Sequence, residues 1–263
     1  MFKIIFDKYF EVYDAQIKSL NLDLTLPESD APSFAPDSFS FYTSVASVYS
    51  SKIEGDPIEA SSYMKHKYMG VKFKPNYTKK TDDLYKAYTF ARKNSLNTQN
   101  ILKAHSLITK NVLHKSEQGV VRTRVMTVQD ENERILYVGT APVNVRHEFE
   151  KLMDYIDYLL SSDLTIAQCF YYASVIHLLL LNIHPFNDGN GRTSRLLEKW
   201  FLIKKLNEKV WFIPSEKYYY QHLNDYYRNL QIIGFEYETL NYDRCLPFLL
   251  MLPSSLNQGN TEG

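Results

Sequence analysis

The sequence has little of the composition that marks secreted, metal-rich or nucleic-acid-binding proteins. It contains only 2 cysteines, Cys169 and Cys245, and their apolar neighbours favour two reduced buried thiols over a disulfide or a metal site. Its 30 basic residues balance 30 acidic ones, so no overall field attracts nucleic acid or an anionic membrane. Phosphate binding must therefore come from a local site, and no nucleic-acid partner is expected.

A secretion signal and a long apolar run are also missing from the sequence. Asp7 and Lys8 interrupt the apolar N-terminal residues. The most apolar stretch, 175–183, contains His177 and Asn182 and is shorter than the roughly 20 residues that span a bilayer. We interpret it as a buried helix, and we expect a cytoplasmic protein with no membrane partner.

Helical periodicity dominates the chain, and strand-like alternation is rare. The alternating stretches 121–128 and 135–138, joined by the polar residues 129–134, predict one β-hairpin. The sequence therefore predicts an all-α protein of about eight helices with a β-hairpin flap. Its predicted helices cover 2–20, 38–53, 84–92, 98–112, 145–160, 164–183, 192–206 and 215–233, with a further short helix at 242–252.

The segment 184–195 concentrates polar groups at a turn between two helices. It reads His-Pro-Phe-Asn-Asp-Gly-Asn-Gly-Arg-Thr-Ser-Arg. Gly189 and Gly191 let the backbone approach a ligand closely, and the unpaired amides at the start of the next helix attract anions. Arg192 and Arg195 are three residues apart on that helix and share a face. Two guanidinium groups beside a row of amides suit a polyphosphate.

Two further side chains of this segment add chemistry to an anion site. Asp188 supplies the hard oxygen ligand that Mg²⁺ prefers. His184 exchanges protons near neutral pH. The plainer interpretation is a capped junction between helices with surface arginines. Because these groups converge within twelve residues, the sequence favours a ligand site.

These twelve residues match, without a mismatch, the signature of Fic-domain proteins, His-Pro-Phe-x-(Asp/Glu)-Gly-Asn-Gly-Arg-x-x-Arg. The chain resembles that family from about residue 84 to 250, and Gly119-x-x-Arg122 resembles the lead-in to its flap. The resemblance implies the Fic fold. The implied division is an N-terminal helical region at 1–83 that includes an inhibitory helix at about 38–55, a Fic core at 84–253 and a flexible tail at 254–263.

The resemblance also implies an activity, the transfer of AMP from ATP to a Ser, Thr or Tyr hydroxyl of a target protein or of the chain itself. His184 would be the general base, Asp188 the Mg²⁺ ligand and Phe186 a buried anchor. Arg192 would contact the β-phosphate and Arg195 the γ-phosphate, while the amides of 189–191 and the Asn190 side chain would hold the α- and β-phosphates. The implied phosphate-binding residues are Gly189, Asn190, Gly191, Arg192 and Arg195.

A second motif, Ser50-x-x-x-Glu54-Gly55, lies at the end of the helix predicted at 38–53. On residues alone, Glu54 is a solvated carboxylate, although the helix dipole disfavours it there without a cationic partner. The motif resembles the inhibitory sequence (Ser/Thr)-x-x-x-Glu-(Gly/Asn) of many Fic proteins. The resemblance implies that Glu54 pairs with Arg195 and denies it to the γ-phosphate.

Several alternatives stay open on the sequence. The chain could remove AMP from a modified protein, transfer another nucleotide or phosphate group, or act as a non-catalytic nucleotide-sensing module. The intact His184 disfavours the last of these. A homodimer is left open, and one or two tyrosines of 218–220 and 226–227 are candidates for stacking on adenine. We interpret the remaining histidines as structural or surface residues: His105, His114, His147, His177 and His222.

Overall fold

A computed structural model describes residues 7–74, 76–129 and 132–260 as a helical bundle with one short hairpin. The first five helices are α1 (Phe10–Ser19), α2 (Ser38–Ile53), α3 (Ala60–Met69), α4 (Lys79–Lys93) and α5 (Thr98–Ile108). The hairpin consists of β1 (Thr127–Gln129) and β2 (Ile135–Val138). The remaining helices are α6 (Pro142–Ser161), α7 (Ile166–Ile183), α8 (Asn190–Lys205), α9 (Ser215–Gln221), α10 (Leu223–Gln231), α11 (Leu246–Leu249) and α12 (Met251–Ser254).

Helix α7 is the centre of the bundle. Thr165 and Gln168 form a reciprocal capping box at its start, and it ends where His184 takes a left-handed conformation with φ of 52°. It is 18 residues long and apolar enough to cross a membrane, but 78% of it is buried inside the protein. The prediction of a buried helix is therefore confirmed. The segment 184–195 begins directly at the C-terminal end of this buried helix.

The hairpin is shorter than the sequence predicts. The strands β1 and β2 pair antiparallel, with Thr127 opposite Val138. The prediction of a strand from residue 121 is wrong for the residues before 127, because the backbone N–H of Arg122 donates to the carbonyl oxygen of Pro185 at 2.9 Å. This bond draws the first half of the predicted strand onto the loop that follows α7. Residues 130 and 131 of the predicted connection lie outside the described residues.

Other predicted boundaries also change. The helix expected at 215–233 is two helices, α9 and α10, because His222 leaves helical geometry with ψ of 40°. The short helix expected at 242–252 is a 3₁₀ turn at Tyr242–Arg244 followed by α11 and α12. Helix α3 was not predicted, and residues 2–6 of the first predicted helix lie outside the described residues.

Helix α2 packs directly on the rest of the bundle. Asp37 caps its start by accepting from the backbone N–H of Ser40, and Glu54 is its C-terminal cap, followed by Gly55 at φ of 82°. Small buried side chains let α2 lie close to α4 and α9, namely Ser44, Ser47, Ser50 and Ser51. One hydrophobic cluster joins Tyr13 of α1 to Leu252 of α12. The end of α2 is thereby held against the start of α8.

The described part of the predicted tail also contacts the bundle. Residues Ser255–Asn260 form a 3₁₀ helix, and Ser255 is buried. Residues 261–263 lie outside the described residues. The division of the chain at residue 83 stays a prediction.

Candidate active site

A cavity of about 380 Å³ lies between the hairpin, the end of α7, the start of α8 and helix α10. Four of the residues singled out in the sequence line it, namely His184, Gly191, Arg195 and Glu54. The others lie beside it in the loop and the first turn of α8: Asp188, Gly189, Asn190 and Arg192. The structure therefore brings the two motifs together, although 130 residues separate Glu54 from His184 in the sequence.

His184 presents one ring nitrogen to the cavity. Its Nδ1 lies 3.1 Å from the carbonyl oxygen of Leu181, which can only accept, so this hydrogen bond assigns the proton to Nδ1. The unprotonated Nε2 is then free to accept a proton. Burial, together with the nearby charge of Arg122, lowers the pKa of His184 to about 4. His184 is therefore neutral at physiological pH.

The loop 185–190 is held rigidly from within. The Asn190 side chain accepts from the backbone N–H of Phe186 at 3.0 Å and donates to its carbonyl oxygen at 2.8 Å. The side chain of Asn190, which the resemblance placed in the anion hole, is thus engaged in the loop. Gly189 has φ of 78°, and a Cβ there would clash with Thr109. The backbone amides at the start of α8 remain as the anion-binding groups of this loop.

His105 on α5 supports the same loop from the core. Its Nε2 donates to the carbonyl oxygen of Asp188 at 2.8 Å, and its Nδ1 accepts from the backbone N–H of Gly119 at 2.9 Å. The ring also stacks on Phe186 with centroids 3.8 Å apart. The interpretations of His105 as structural and of Phe186 as a buried anchor agree with these contacts.

Arg122 joins the loop to the flap. Its Nε donates to the carbonyl oxygen of His184 at 2.6 Å, and its Nη2 donates to that of Thr140 at 2.7 Å. Arg122 therefore fixes the backbone of His184 relative to the hairpin. Its charge also disfavours protonation of the His184 ring.

Arg195 is fully buried and bonded to the end of α2. Its Nε donates to the Ser50 hydroxyl at 2.8 Å, and its Nη2 donates to the Ser50 carbonyl oxygen at 3.1 Å and to Glu54 Oε1 at 2.6 Å. A Cβ on Gly191 would clash with the same Glu54 oxygen. The Glu54 carboxylate therefore lies directly over the start of α8. Burial alone would raise the pKa of Glu54, but the charge of Arg195 holds it below the usual value.

Arg192 has a much poorer environment than Arg195. Its side chain is 5% exposed, and its Nη2 forms an ion pair with Asp56 Oδ2 at 3.4 Å. Within the described part of the chain, its Nε and Nη1 are buried and lack a hydrogen-bond partner. Asp56 is itself held by Lys80 of α4 at 2.7 Å. Buried unpaired guanidinium nitrogens are costly, and an anionic ligand would satisfy them.

The carboxylate of Asp188 is the candidate metal ligand at this site. Asp188 is exposed, and one of its oxygens accepts from the backbone N–H of Gly189. The described residues contain no cluster of three or more His, Cys, Asp or Glu side chains that could hold a metal by themselves. This donor set suits Mg²⁺, which binds one or two carboxylates together with substrate phosphates. It does not suit a metal held entirely by protein ligands.

Several side chains around the site had no assigned role in the sequence, namely Asp56, Tyr137 and Glu198. Tyr226 was a candidate only for stacking on adenine, and His177 was interpreted as a structural or surface residue. A weak signal existed for two of them. Glu198 is three residues after Arg195, and His177 is seven before His184, so each pair shares a helix face. The contacts of Asp56 and Tyr226 depend on how separate helices pack, which periodicity does not show.

Part of the chain is similar to a known protein family. Residues 95–202 match the model of the Fic/DOC family. A protein adenylyltransferase Fic from Nematostella vectensis is 33% identical over 132 residues, which are 49% of this chain and 28% of that protein. Protein adenylyltransferase fic-1 from Caenorhabditis elegans is 40% identical over 63 residues, 24% of this chain and 12% of that protein. The alignments thus span less than a third of these relatives.

Solved structures share the whole architecture. A Fic family protein from Desulfovibrio desulfuricans superposes with a TM-score of 0.70 at 16% identity, covering 97% of this chain and 72% of that one. A Fic domain-containing signaling protein from Bacteroides thetaiotaomicron gives a TM-score of 0.64 at 15% identity, covering 94% and 92%. At these identities the likeness shows a common fold, so the predicted fold is confirmed.

Proposed function

We propose that this chain, whose residues 95–202 match the model of the Fic/DOC family, is a protein adenylyltransferase inhibited by its own helix α2. The relatives named as protein adenylyltransferases support the reaction. The observation that carries the proposal is the ion pair between the buried Arg195 and the partly exposed Glu54, which lies in the same cavity as His184. ATP and the inhibitory carboxylate would compete for that space.

The chain's own groups suit nucleotidyl transfer. The amides at the start of α8 and the two arginines would hold the phosphates, with Arg192 on the β-phosphate and Arg195 on the γ-phosphate. The Nε2 of His184 would take the proton of the target hydroxyl as its oxygen attacks the α-phosphorus. The bond from that phosphorus to the bridging oxygen breaks, and pyrophosphate leaves. A positioned base contributes on the order of 10²–10⁴-fold to the rate.

The low pKa of His184 belongs to the state without nucleotide. A histidine with a pKa near 4 is a weak base, because burial and Arg122 disfavour its protonated form. The negative charge of bound phosphates would favour that form and raise the pKa toward the working pH. Nucleotide binding would therefore make His184 a stronger base.

Asp188 would hold Mg²⁺ together with the phosphates, and the ion would supply charge neutralisation on the leaving pyrophosphate. The exposed carboxylate fits this role, since the remaining ligands would be phosphate oxygens and water. The binding of ATP should accordingly be tighter with Mg²⁺ than with EDTA, and Asp188→Asn should remove most of that difference.

Inhibition follows from charge and space. Glu54 Oε1 occupies the position beside Gly191, and it neutralises the guanidinium that the γ-phosphate would use. A triphosphate bound in the productive pose would bring more negative charge against this carboxylate. ATP must therefore displace Glu54, or bind in a pose that does not lead to transfer.

The decisive experiment is incubation with ATP labelled at the α-phosphate and Mg²⁺. We expect weak labelling of the chain as it stands, strong self-labelling of Glu54→Gly and none of Glu54→Gly/His184→Ala. Glu59→Gln is the matched control, because Glu59 is a carboxylate of the next segment that pairs with Lys52 outside the cavity. The transferase proposal fails if Glu54→Gly binds ATP by calorimetry and yet labels neither itself nor any protein of a cell lysate.

The reverse reaction is the second candidate. Glu54 and His184 line the same cavity, and the carboxylate favours the protonated form of the imidazole. A carboxylate in that place could orient a water molecule toward the phosphorus of an AMP-modified hydroxyl. Release of AMP from a modified protein by the unaltered chain, but not by Glu54→Gly, would favour removal over transfer.

The flap offers one edge for a target segment. The backbone N–H of Val138 in β2 donates to the carbonyl oxygen of Phe235 at 2.9 Å, so β2 is covered on that side. Among the described residues, β1 has no strand on its outer side. We propose that a target protein aligns its Ser, Thr or Tyr by adding a strand to β1. A cytoplasmic location and a homodimer stay predictions.

A further inference from the structure

A second group of buried polar side chains reaches Arg195 through Nη1, the nitrogen that neither Ser50 nor Glu54 contacts. Nη1 donates to the Tyr226 hydroxyl at 3.5 Å. That hydroxyl lies 3.0 Å from Nε2 of His177, and Nδ1 of His177 lies 2.8 Å from Glu198 Oε2. All of these side chains are at most 2% exposed. Tyr226, His177 and Glu198 have no part in the transfer chemistry described above.

The hydrogen bonds of this group run in one direction. The Glu198 carboxylate can only accept, so Nδ1 of His177 carries a proton and donates to it. Arg195 can only donate, so the oxygen of Tyr226 accepts from it. The Tyr226 hydroxyl can then donate its own proton in a hydrogen bond to the unprotonated Nε2 of His177. The assignment that satisfies every donor is Arg195 to Tyr226, Tyr226 to His177 and His177 to Glu198.

These hydrogen bonds connect three helices and form a ring, because the first and last residues, Arg195 and Glu198, both belong to α8. Arg195 and Glu198 are three residues apart on α8 and share a face. His177 lies on α7 about two turns before His184, the residue that caps the C-terminal end of that helix. Tyr226 lies on α10 and lines the cavity. The hydroxyl of Tyr219 on α9 also donates to Glu198, lying 3.0 Å from Oε1 and 2.9 Å from Oε2.

We propose that Glu198 and His177 are positioning residues that act through Tyr226 to orient Arg195 toward the γ-phosphate after Glu54 has withdrawn. The proposal rests on the proposed function, in which Arg195 reads that phosphate. Among the described residues, Arg195 donates its other side-chain hydrogen bonds to Ser50 and Glu54 at the end of α2, so Tyr226 is the contact that remains when that end moves away. A long guanidinium side chain without that acceptor would lose more conformational freedom on binding ATP.

The contacts also oppose a purely structural interpretation of Glu198. A buried carboxylate is costly, and apolar residues of similar volume would pack such a site at lower free energy. Here a tyrosine, a histidine and a glutamate are instead connected so that they hold one guanidinium group in one orientation. Fully satisfied networks of this kind fix a single geometry.

The test measures ATP and ADP binding with Mg²⁺ by calorimetry in the Glu54→Gly chain. ADP keeps every group of ATP except the γ-phosphate. We expect Glu54→Gly to prefer ATP, and we expect added Tyr226→Phe to weaken ATP binding about fivefold while ADP binding stays within twofold. Tyr63→Phe is the matched control, since Tyr63 is fully buried, donates to Asp82 at 2.9 Å and lies outside the cavity.

A double-mutant cycle tests whether His177 acts through Tyr226. His177→Leu alone should reduce the preference for ATP, and it should add nothing once Tyr226 is Phe. Equal loss of ATP and ADP affinity, or an unchanged preference in Tyr226→Phe, overturns the positioning role. If His177→Leu does not fold, the conservative Tyr226→Phe decides by itself. Absence of ATP binding by Glu54→Gly would overturn the proposed function together with this inference.

Discussion

Arg192 and Arg195 differ by one turn of α8 and have opposite environments. Arg195 donates to Ser50, Glu54 and Tyr226, and its side chain is 1% exposed. Arg192 is buried almost as deeply, yet two of its nitrogens have no partner within the described residues. A fold that buries both guanidinium groups has thus satisfied one with protein and left the other for a ligand.

The two arginines represent two states of an anion-binding side chain in the absence of its ligand. Arg195 is stabilised in the form without nucleotide, so ATP gains little there until Glu54 is removed. Arg192 is strained in that form, because a buried donor without an acceptor costs about 1–3 kcal/mol. Under the proposed mechanism, inhibition would act on Arg195, while Arg192 would keep its affinity for phosphate.

The largest expected effect concerns ATP binding in the Glu54→Gly chain. Arg195→Ala should weaken ATP binding about 100-fold, because charge-assisted hydrogen bonds to the γ-phosphate are lost, and ADP binding should change little. Arg192→Ala should weaken both nucleotides to a similar degree, since both carry a β-phosphate. Calorimetry with the two nucleotides measures this, and a reversed pattern would exchange the two assignments.

The next effect is on stability without nucleotide. In the otherwise unaltered chain, Arg195→Ala should lower the free energy of unfolding by about 3 kcal/mol, because the end of α2 loses its partner on α8. Arg192→Ala should cost about 1 kcal/mol or less, since it removes unpaired donors together with one long ion pair. Urea unfolding compares the two, and equal losses would contradict the difference in their environments.

A smaller effect is expected at Asp56. Asp56→Asn removes the carboxylate that pairs with Arg192, so the unaltered Glu54 chain should bind ADP about threefold more tightly. Glu59→Gln, on the same segment but paired with Lys52 at the surface, should leave ADP binding as it is. Weaker ADP binding in Asp56→Asn would show that Asp56 supports Arg192 rather than competing for it.

The smallest effect is expected from pH. Arg195 holds the pKa of Glu54 below its usual value, so Glu54 stays charged above about pH 4.5. The stabilisation that this pair gives is present above that pH and is lost only as pH falls through the lowered pKa. The ratio of ATP affinities between Glu54→Gly and the unaltered chain should therefore be constant from pH 8 to 5.5. A ratio that shrinks on mild acidification would mean that Arg195 does not protect the charge of Glu54.

The sequence predicted which residues meet at the candidate site better than it predicted the elements around them. The loop 184–195 is contiguous, so its residue types and spacing are visible directly, and Glu54 was found through a second contiguous motif. The confirmed helices have clear periodicity and caps, as at Asn97, which accepts from the backbone N–H of Asn100. Local signals of this kind survive folding because neighbouring residues create them.

What the sequence missed depends on packing between distant segments. The strand predicted from residue 121 is diverted because Arg122 binds the carbonyl oxygens of His184 and Thr140. Asp56 meets Arg192 only because Lys80 on α4 and the end of α2 hold it there. Hydrophobic periodicity does not reveal contacts between residues far apart in the sequence. The sequence around an Asp or Arg does not show whether its side chain has a buried partner.

The position of Glu54 beside Gly191 also has a consequence for any partner that binds the C-terminal end of α2. Two occupants that exclude each other are linked reciprocally, so each weakens the other by the same factor. Under the proposed mechanism, a rise in ATP would loosen the end of α2 as surely as a loosened α2 would admit ATP. A protein that captured the freed residues 50–56 would then sense the nucleotide supply without touching the nucleotide.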